Sequence, residues 1–496
     1  MLSAASIFKN SSKLTAGNLL GAVLSFASGL YIARTLGPNQ LGAANLVLLW
    51  LTYANLARLG ILEGGIRELN VRLGRQQHET ARHIQNSALT GELLWGVVPV
   101  TALLVGTLLA PDPVRRTGLG IVALTYVGMI VTRSLVNFHL ARQHFNVCAR
   151  INLVRAMAQP LMLVTFVTWL GPYGLFVGPL LVEWLVASLY LFRAPKLGLR
   201  ITIDRPLLRQ LLGIGLPLGL GIIVYWAYRL VGTTSVAMWL PTHELGYYAF
   251  ISSILTLVLQ AFGDFAGVLT PSLWAELARV GNAHQISREH SRITLLVTLA
   301  ACAVTNLGQA TFEPFIRLVL PDYLPAVPVF NILAFNIVVL TITFVPSLVL
   351  SSAQVNKQWA ELGCWVLGLG LNVAANYLVV RQGLRLQAIA WNDIWVQLVV
   401  VLLIYTLAQR HLFATPSEAW RLYGRLAAML GLAALMFVAL TVGPLTFATT
   451  QGPIGLLGLS TLRLGLTAAV WGGLSVLVYQ RLRQPRHGVS LSDPSA

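Results

Sequence analysis

The chain has 496 residues, of which 56% are hydrophobic and only 10% are charged. Soluble domains carry about 25% charged residues, so this composition excludes an ordinary soluble enzyme, and the apolar content excludes disorder. Lys and Arg outnumber Asp and Glu by 34 to 17, but the basic residues lie in short segments between long apolar runs. Basic residues in that position set membrane topology, so nucleic acid is not an expected partner. The chain is predicted to be an all-α, polytopic membrane protein.

Continuous apolar runs of about 20 residues are long enough to cross the hydrocarbon core as helices. The sequence predicts fourteen spans, at 14–33, 41–62, 87–110, 117–138, 151–170, 174–192, 211–238, 245–272, 292–312, 326–352, 359–380, 386–408, 426–446 and 456–480. The seventh, eighth and tenth spans exceed the length that a bilayer requires, which predicts tilted or broken helices there. Segment 66–86 predicts a basic helix that lies on the inner membrane surface.

The basic residues are distributed unequally between the two sides of these spans. The segments on the side of the N-terminus contain 24 of them, the opposite segments contain seven, and three lie within spans. Because Lys and Arg accumulate in cytoplasmic loops, both termini are predicted to be cytoplasmic. The richest link, 193–210, separates six spans from the next six. We therefore expect an N-terminal six-helix lobe (1–192), a cytoplasmic linker (193–210), a C-terminal six-helix lobe (211–408), and two extra helices with a cytoplasmic tail (409–496).

The first outer turn and the turn after the seventh span share a pattern. Leu36 and Leu240 each precede four turn-forming residues, which Leu41-Gly42 and Leu245-Gly246 follow at an offset of 204 residues. Six spans return the chain to the same side of the membrane, so the two six-helix halves would be parallel repeats. Parallel repeats around a central site are common in transporters. The competing interpretation is that two outer hairpins need similar turns.

No cysteine motif predicts a disulfide framework or a metal site. The three cysteines, Cys148, Cys302 and Cys364, are scattered along the chain. We expect no cofactor, apart from a coupling proton or sodium ion if the protein is a transporter.

Arg229 is predicted near the middle of the membrane, ~18 Å from the outer surface at 1.5 Å of rise per residue. Tyr225 and Trp226 precede it by four and three residues, so all three share one helix face. An arginine between aromatic rings suits an anionic phosphate group, because the guanidinium binds phosphate oxygens. The alternative is an arginine that pairs with a buried acid for packing.

Three further arginines lie within or at the end of spans. Arg133 is in the fourth span, Arg155 lies one turn inside the fifth, and Arg58 is near the inner end of the second. Together they could form a basic inner vestibule that collects the anionic head group of a substrate. Alternatively, each could extend its side chain to the inner lipid phosphates.

Two acids within spans are candidates for ion coupling or charge pairing. Glu183 is predicted ~14 Å deep in the sixth span, where it could pair with Arg229 or bind a driving ion. Asp264 in the eighth span is predicted too deep to reach Arg229, and is expected to neutralise the inner basic cluster. The intramembrane asparagines, among them Asn372 and Asn376, are expected to line a cavity or to join helices.

Three segments carry a resemblance to a known family. They are GLYIARTLGPNQLGAANLVLLW from Gly29, GIGLPLGLGIIVYWAYRLVGTTSVAMWLPTHELGYYAF from Gly213, and LVLPDYLPAVPVFNILAF from Leu318. They resemble Wzx-type polysaccharide (O-antigen) flippases of the multidrug/oligosaccharidyl-lipid/polysaccharide (MOP) exporter superfamily. The resemblance covers nearly the whole chain.

The resemblance implies two six-helix lobes arranged in a V, plus two extra helices, in a bacterial inner membrane. It implies that the chain moves an undecaprenyl-pyrophosphate-linked oligosaccharide from the inner to the outer leaflet. The implied partners are the membrane lipids and the glycan polymerase and glycosyltransferases of the same pathway. Many relatives carry an acid beside the arginine of the seventh span, whereas this sequence has Ala227, Tyr228 and Leu230 there. A coupling role cannot be transferred from that acid.

Two other function classes remain as alternatives. A multidrug-type small-molecule antiporter would share the fold, but its cavity tends to contain acids rather than arginines. A membrane glycosyltransferase or glycan polymerase would need catalytic groups on a sizeable loop, and no predicted outer loop is that long. The chain is therefore not expected to be an enzyme.

Overall fold

The computed structural model describes residues 4–193, 197–280, 287–352, 355–413, 415–441 and 453–483, and these ranges contain helices and no β-strand. The helices are α1 (Ala4–Leu56), α2 (Ile61–Gly74), α3 (His78–Leu109), α4 (Pro113–Ala141), α5 (Phe145–Leu170), α6 (Gly174–Leu191), α7 (Arg205–Trp239), α8 (Thr242–Val280), α9 (Ser287–Val319), α10 (Val327–Leu333), α11 (Phe335–Ile342), α12 (Phe344–Leu350), α13 (Gln358–Arg381), α14 (Leu386–Leu412), α15 (Pro416–Thr441) and α16 (Pro453–Arg483). Short 3₁₀ segments at Gly171–Tyr173 and Pro321–Ala326 precede α6 and α10.

The predicted all-helical membrane fold is confirmed. Among the described residues, ten helical segments are long and apolar enough to cross a membrane, and a bent pair, Gly21–Leu56 with Ile61–Gly74, makes an eleventh if it counts as one span. One of the ten, Phe145–Leu191, joins α5 and α6 and so contains two predicted spans. Each predicted span falls mainly within these helices, although the second ends in α1 at Leu56 and residues 442–446 of the thirteenth lie outside the described residues.

Helix α1 contains the first two predicted spans, and a break at Gly37 separates them. Gly37 has φ 66° and ψ 173°, a conformation that a residue with a Cβ rarely adopts. Pro38 follows and has no N–H to donate to the preceding turn. The Gly-Pro step therefore makes the turn between two spans, although hydrogen bonding continues on both sides.

The second part of α1 crosses the start of α8 at two glycines. A Cβ on Gly42 would overlap the carbonyl oxygen of Thr242, and a Cβ on Gly246 would overlap the carbonyl oxygen of Pro38. Pro38 and Thr242 are related by the same 204-residue offset as Gly42 and Gly246. The contact is thus reciprocal, as a two-fold relation between repeats requires. The predicted repeat therefore has a direct counterpart in the packing.

The prediction of one basic surface helix over 66–86 is wrong. Helix α2 ends at Gly74, and α3 begins at His78, so the segment belongs to two helices. Leu62 and Leu69 of α2 are buried, and a Cβ on Gly64 would overlap the carbonyl oxygen of Leu211 at the start of α7. One face of α2 packs inside the protein because its apolar residues recur at helical spacing, and the basic side chains occupy the other face.

Residues 197–204 of the predicted linker lie along α3. The backbone N–H of Arg200 donates to Asn86 at 3.2 Å, and that of Thr202 donates to the Thr90 hydroxyl at 3.0 Å. Asp204 caps the N-terminus of α7 by accepting from the Leu207 N–H at 3.1 Å. A hydrogen bond with His83, 2.8 Å away, lowers the pKa of the Asp204 carboxyl below its usual range.

The tenth predicted span is interrupted at single residues, Ala334 and Thr343, that divide it into α10, α11 and α12 but keep right-handed helical dihedrals, and Pro321–Leu350 as a whole counts as one span. At both interruptions a side chain from another helix bonds to a backbone carbonyl. Thr305 donates to the Ala334 oxygen at 3.2 Å, and Tyr405 donates to the Ile342 oxygen at 3.0 Å. Side chains that bond to backbone carbonyls interrupt the helical ladder in this way. Helices α7 and α8, for which a break was also considered, are continuous.

The chain forms two compact units. The first contains residues 1–271, 319–329 and 359–400, and the second contains residues 272–318, 330–358 and 401–496. In the second, the buried Trp471 of α16 donates to Asn306 of α9 at 3.0 Å, and Asn306 donates to the Ala433 carbonyl of α15 at 3.2 Å. The two C-terminal helices are therefore joined to α9 by buried polar contacts. The predicted lobe boundaries at 192, 210 and 408 stay a prediction.

Candidate functional site

Arg229 lies in the interior of α7 within a group of aromatic rings. Its guanidinium carbon is 4.9 Å from the Trp226 ring centroid and 6.0 Å from that of Tyr225. The shared helix face predicted for these three residues is confirmed. Trp365 of α13 completes the group, because its ring makes an edge contact with Tyr225 at 5.3 Å. Sequence reasoning missed Trp365, since no local pattern relates α13 to α7.

No carboxylate accompanies Arg229. The side chain is half-buried, and within the described ranges it forms no ion pair. The aromatic faces attract the cation, but they do not supply the acceptor oxygens that its five N–H groups can use. Arg229 therefore keeps its capacity to bind an anion.

Arg133 and Arg58 have acidic partners. Arg133 of α4 donates to Glu92 at 3.0 Å and to Asn55 at 2.7 Å. Glu92 is only 4% exposed, and its second oxygen accepts from the Leu62 N–H. Arg58 donates to Glu63 at 3.3 Å, across the turn between α1 and α2.

Arg155 and Glu183 form a separate pair between α5 and α6. The Arg155 guanidinium donates to Glu183 at 2.6 Å. The predicted pairing of Glu183 with Arg229 is therefore wrong, because Arg155 on the adjacent helix already occupies the carboxylate.

The predicted basic vestibule is neutralised by these contacts. Each of Arg58, Arg133 and Arg155 has its own glutamate. Glu92 was missed, although an acid five residues inside the third predicted span was a signal that could have found it. Asp264 belongs to α8, but its side chain lies outside the described part of the structure.

A second polar group lies between α7, α8, α13 and α14 in the first unit. Tyr248 of α8 donates to Asp393 of α14 at 2.6 Å, and the other Asp393 carboxylate oxygen is buried without a hydrogen-bond partner. A Cβ on Gly232 of α7 would overlap both the Tyr248 hydroxyl and the Asp393 carboxylate. The glycine therefore makes room for this contact, one helical turn from Arg229.

Asparagine side chains surround the same carboxylate. Asn376 donates to Ser235 and to Asn372, at 3.1 Å in both cases, and Asn392 donates to Asn376 at 2.6 Å. Their position within a predicted span marked Asn372 and Asn376 as residues that line a cavity or join helices. Their convergence on Asp393 could not be predicted, because three other helices contribute to it.

The comparisons with known proteins agree with this fold. The family model described as "Polysaccharide biosynthesis protein" matches residues 7–274. A multidrug resistance MATE transporter of the MOP superfamily, in an inward-facing conformation, superposes with a TM-score of 0.67 at 14% identity, over 85% of this chain and 99% of that one. The lipid II flippase MurJ, in an inward closed conformation, gives 0.68 at 11% identity, over 95% and 99%. The Vibrio cholerae MATE transporter VcmN, in a mutant form, gives 0.56 at 12% identity, over 84% and 99%.

These findings define a multi-pass helical membrane protein that shares its fold with the MATE transporters and the flippase MurJ. The chain belongs to the polysaccharide biosynthesis protein family, since the family model covers more than half of its length. No curated protein sequence gives a significant match.

Proposed function

We propose that the chain is a flippase that moves an undecaprenyl-pyrophosphate-linked oligosaccharide from the cytoplasmic to the outer leaflet by alternating access. It would act in the bacterial inner membrane, with both termini in the cytoplasm. Glycosyltransferases would supply the lipid-linked glycan, and a glycan polymerase would consume it. The family supports a substrate of polysaccharide biosynthesis, and the flippase MurJ shares the fold.

The observation that carries this proposal is the contrast between Arg229 and the other intramembrane arginines. An arginine in a membrane helix is costly unless it faces a cavity or a partner. Arg58, Arg133 and Arg155 meet that cost with glutamates, whereas Arg229 lies over aromatic rings and forms no ion pair with the described residues. A pyrophosphate would supply the missing oxygens, and Trp226 and Tyr225 would contact the sugar next to it.

The Asp393 group is the proposed site of ion coupling. Its carboxylate has one unpartnered buried oxygen and is surrounded by amide and hydroxyl groups. Oxygen atoms of this kind can hold a proton or a sodium ion. The Asp393 carboxylate packs against Gly232, which lies one turn from Arg229 on α7. An ion bound at Asp393 can therefore influence the position of the Arg229 guanidinium. Glu183, the earlier candidate, is already paired with Arg155.

Complementation tests the function. The wild-type chain should restore outer-leaflet glycan in a strain that lacks its own flippase, when the strain also expresses the matching glycosyltransferases. The same cells should show no added resistance to cationic drugs. Drug resistance without glycan export would instead establish the small-molecule antiporter, the competing function that the MATE-like fold allows.

A gradient experiment tests the coupling site. In vesicles that contain the wild-type protein, a proton or sodium gradient should accelerate translocation, and Asp393→Asn should abolish the acceleration. Asp322→Asn, at an exposed position of the 3₁₀ segment before α10, is the matched control and should keep the acceleration. A gradient response that survives Asp393→Asn would contradict this assignment and leave the Arg229 assignment untouched.

A further inference from the structure

A pocket outside the Arg229 site lies where three turns of the first unit meet. Its walls come from the first turns of α8, from the segment that leads into α10, and from the turn between α13 and α14. The volume is about 670 Å³, inside the range typical of small-ligand sites. All three turns belong to the side that the distribution of basic residues predicts to be outer.

Two aromatic side chains give this outer pocket flat apolar surfaces. Trp391 of α14 lines it and is 37% exposed. Tyr247 of α8 lines it from the other side, and edge contacts with His243 at 6.0 Å and Tyr323 at 5.7 Å hold its ring. Aromatic rings fixed at a pocket surface are suited to the apolar faces of sugar rings.

The polar groups of the pocket are of both signs. Glu244 contributes a carboxylate, Arg385 a guanidinium and Gln387 a side-chain amide. One carboxylate oxygen of Glu244 is buried and accepts no hydrogen bond. Arg385 is exposed and forms no ion pair with the described residues. The carboxylate, the guanidinium and the amide that line the pocket can accept hydrogen bonds from the hydroxyl groups of a ligand and donate to them.

The balance of charge separates a sugar from a phosphate as the ligand. Phosphate binding favours several cations and is opposed by a carboxylate at the same place. Among the lining residues, Arg385 and the imidazole of His243 stand against the Glu244 carboxylate, so the pocket does not present a cluster of permanent cations. A neutral saccharide uses both, because each hydroxyl donates one hydrogen bond and accepts others.

We propose that this pocket binds sugar residues of the translocated glycan on the outer side, after the lipid head group has left Arg229. This inference rests on the proposed flippase function, since it assumes that the glycan reaches the outer mouth. The pocket would hold the glycan beside the exit and slow its return.

Calorimetric titration of the full chain in lipid nanodiscs tests the pocket. The probe is the oligosaccharide released by mild acid from the lipid-linked pool of the producing cells. The wild type should bind it, Trp391→Ala and Gln387→Ala should weaken binding by roughly tenfold or more, and Glu244→Gln should weaken it as well. Trp395→Ala is the matched control, because Trp395 lies one turn further along α14 and is 62% exposed but does not line the pocket.

Several results would overturn the proposal. One is that Trp391→Ala and Gln387→Ala bind the oligosaccharide as tightly as Trp395→Ala does. Another is binding of inorganic pyrophosphate at the pocket, abolished by Arg385→Ala, without binding of the oligosaccharide. Complementation distinguishes this failure from failure of the flippase function. A wild type that exports glycan while its pocket variants bind normally refutes only the pocket, whereas a wild type that exports none refutes the function.

Discussion

The intramembrane arginines of this protein divide into two kinds according to their partners. Arg155 and Arg133 donate to glutamates at 2.6 and 3.0 Å, and these contacts join neighbouring helices. Arg229 instead lies over aromatic rings, 4.9 Å from Trp226. The arginines of the first kind should stabilise the fold, and Arg229 should bind substrate. Single substitutions distinguish the two roles.

Removal of Arg155 should lower the amount of folded protein. Arg155→Ala leaves Glu183 without its cation in a low-dielectric site, at a cost of about 3 kcal/mol, the low end for buried pairs because Arg155 is a third exposed. Thermal unfolding in detergent should show a lowered midpoint, and Arg155→Ala with Glu183→Gln should recover much of it. Arg229→Ala should leave the midpoint nearly unchanged. An unfolding midpoint lowered equally in Arg155→Ala and Arg229→Ala would contradict the division of the arginines into two kinds.

At this scale the sequence predicted contacts along one helix better than contacts between helices. Arg229 with Tyr225 and Trp226 follows from helical spacing alone, because all three are on α7. The partner of Glu183 lies on another helix, and depth arguments placed Arg229 and Glu183 at similar levels without information on lateral position. The Asp393 group could not be predicted for the same reason, because its residues come from four helices.

For the helices too, the sequence predicts features whose cause lies within one helix better than features that depend on a contact with another helix. The apolar runs predicted the ten helical segments that are long and apolar enough to cross a membrane, and the Gly37-Pro38 step predicted the first turn. The single-residue interruptions of α10–α12 had only a length signal, because the hydroxyl groups that bond to the backbone there, those of Thr305 and Tyr405, belong to other helices. The burial of α2 against α7 likewise depends on glycines in both partners.

The crossing of α1 and α8 should not tolerate a side chain. Gly42→Ala would place a Cβ against the backbone carbonyl of Thr242, which cannot move aside as a side chain can. We expect the free energy of unfolding to fall by about 1–3 kcal/mol or more, measured as a lower unfolding midpoint. Gly246→Ala should lower it by a similar amount. Gly29→Ala is the control, because its Cβ would meet nothing within 4 Å. It should be neutral or slightly stabilising. A Gly42→Ala protein as stable as Gly29→Ala would contradict the crossing.

At the scale of the whole molecule, the orientation in the membrane follows from the excess of basic residues on one side. Arg200 is predicted inside and Asp322 outside. In a background without Cys148, Cys302 and Cys364, Arg200→Cys and Asp322→Cys should react with an impermeant thiol reagent from opposite sides. Labelling of both positions in intact cells would refute the fourteen-span arrangement.

The central claim is that Arg229 binds the pyrophosphate of a lipid-linked glycan during translocation. The most direct test is the initial rate at which purified protein in proteoliposomes moves a fluorescent undecaprenyl-pyrophosphate-linked oligosaccharide between leaflets. Arg381→Ala is the control, because Arg381 also lies over an aromatic ring, 5.2 Å from Tyr377, but at the end of α13. We predict that Arg229→Ala lowers the rate by roughly tenfold or more, that Arg229→Lys retains part of it because a point charge remains, and that Arg381→Ala is unaffected. A wild-type rate in Arg229→Ala, at equal protein content, would contradict the claim.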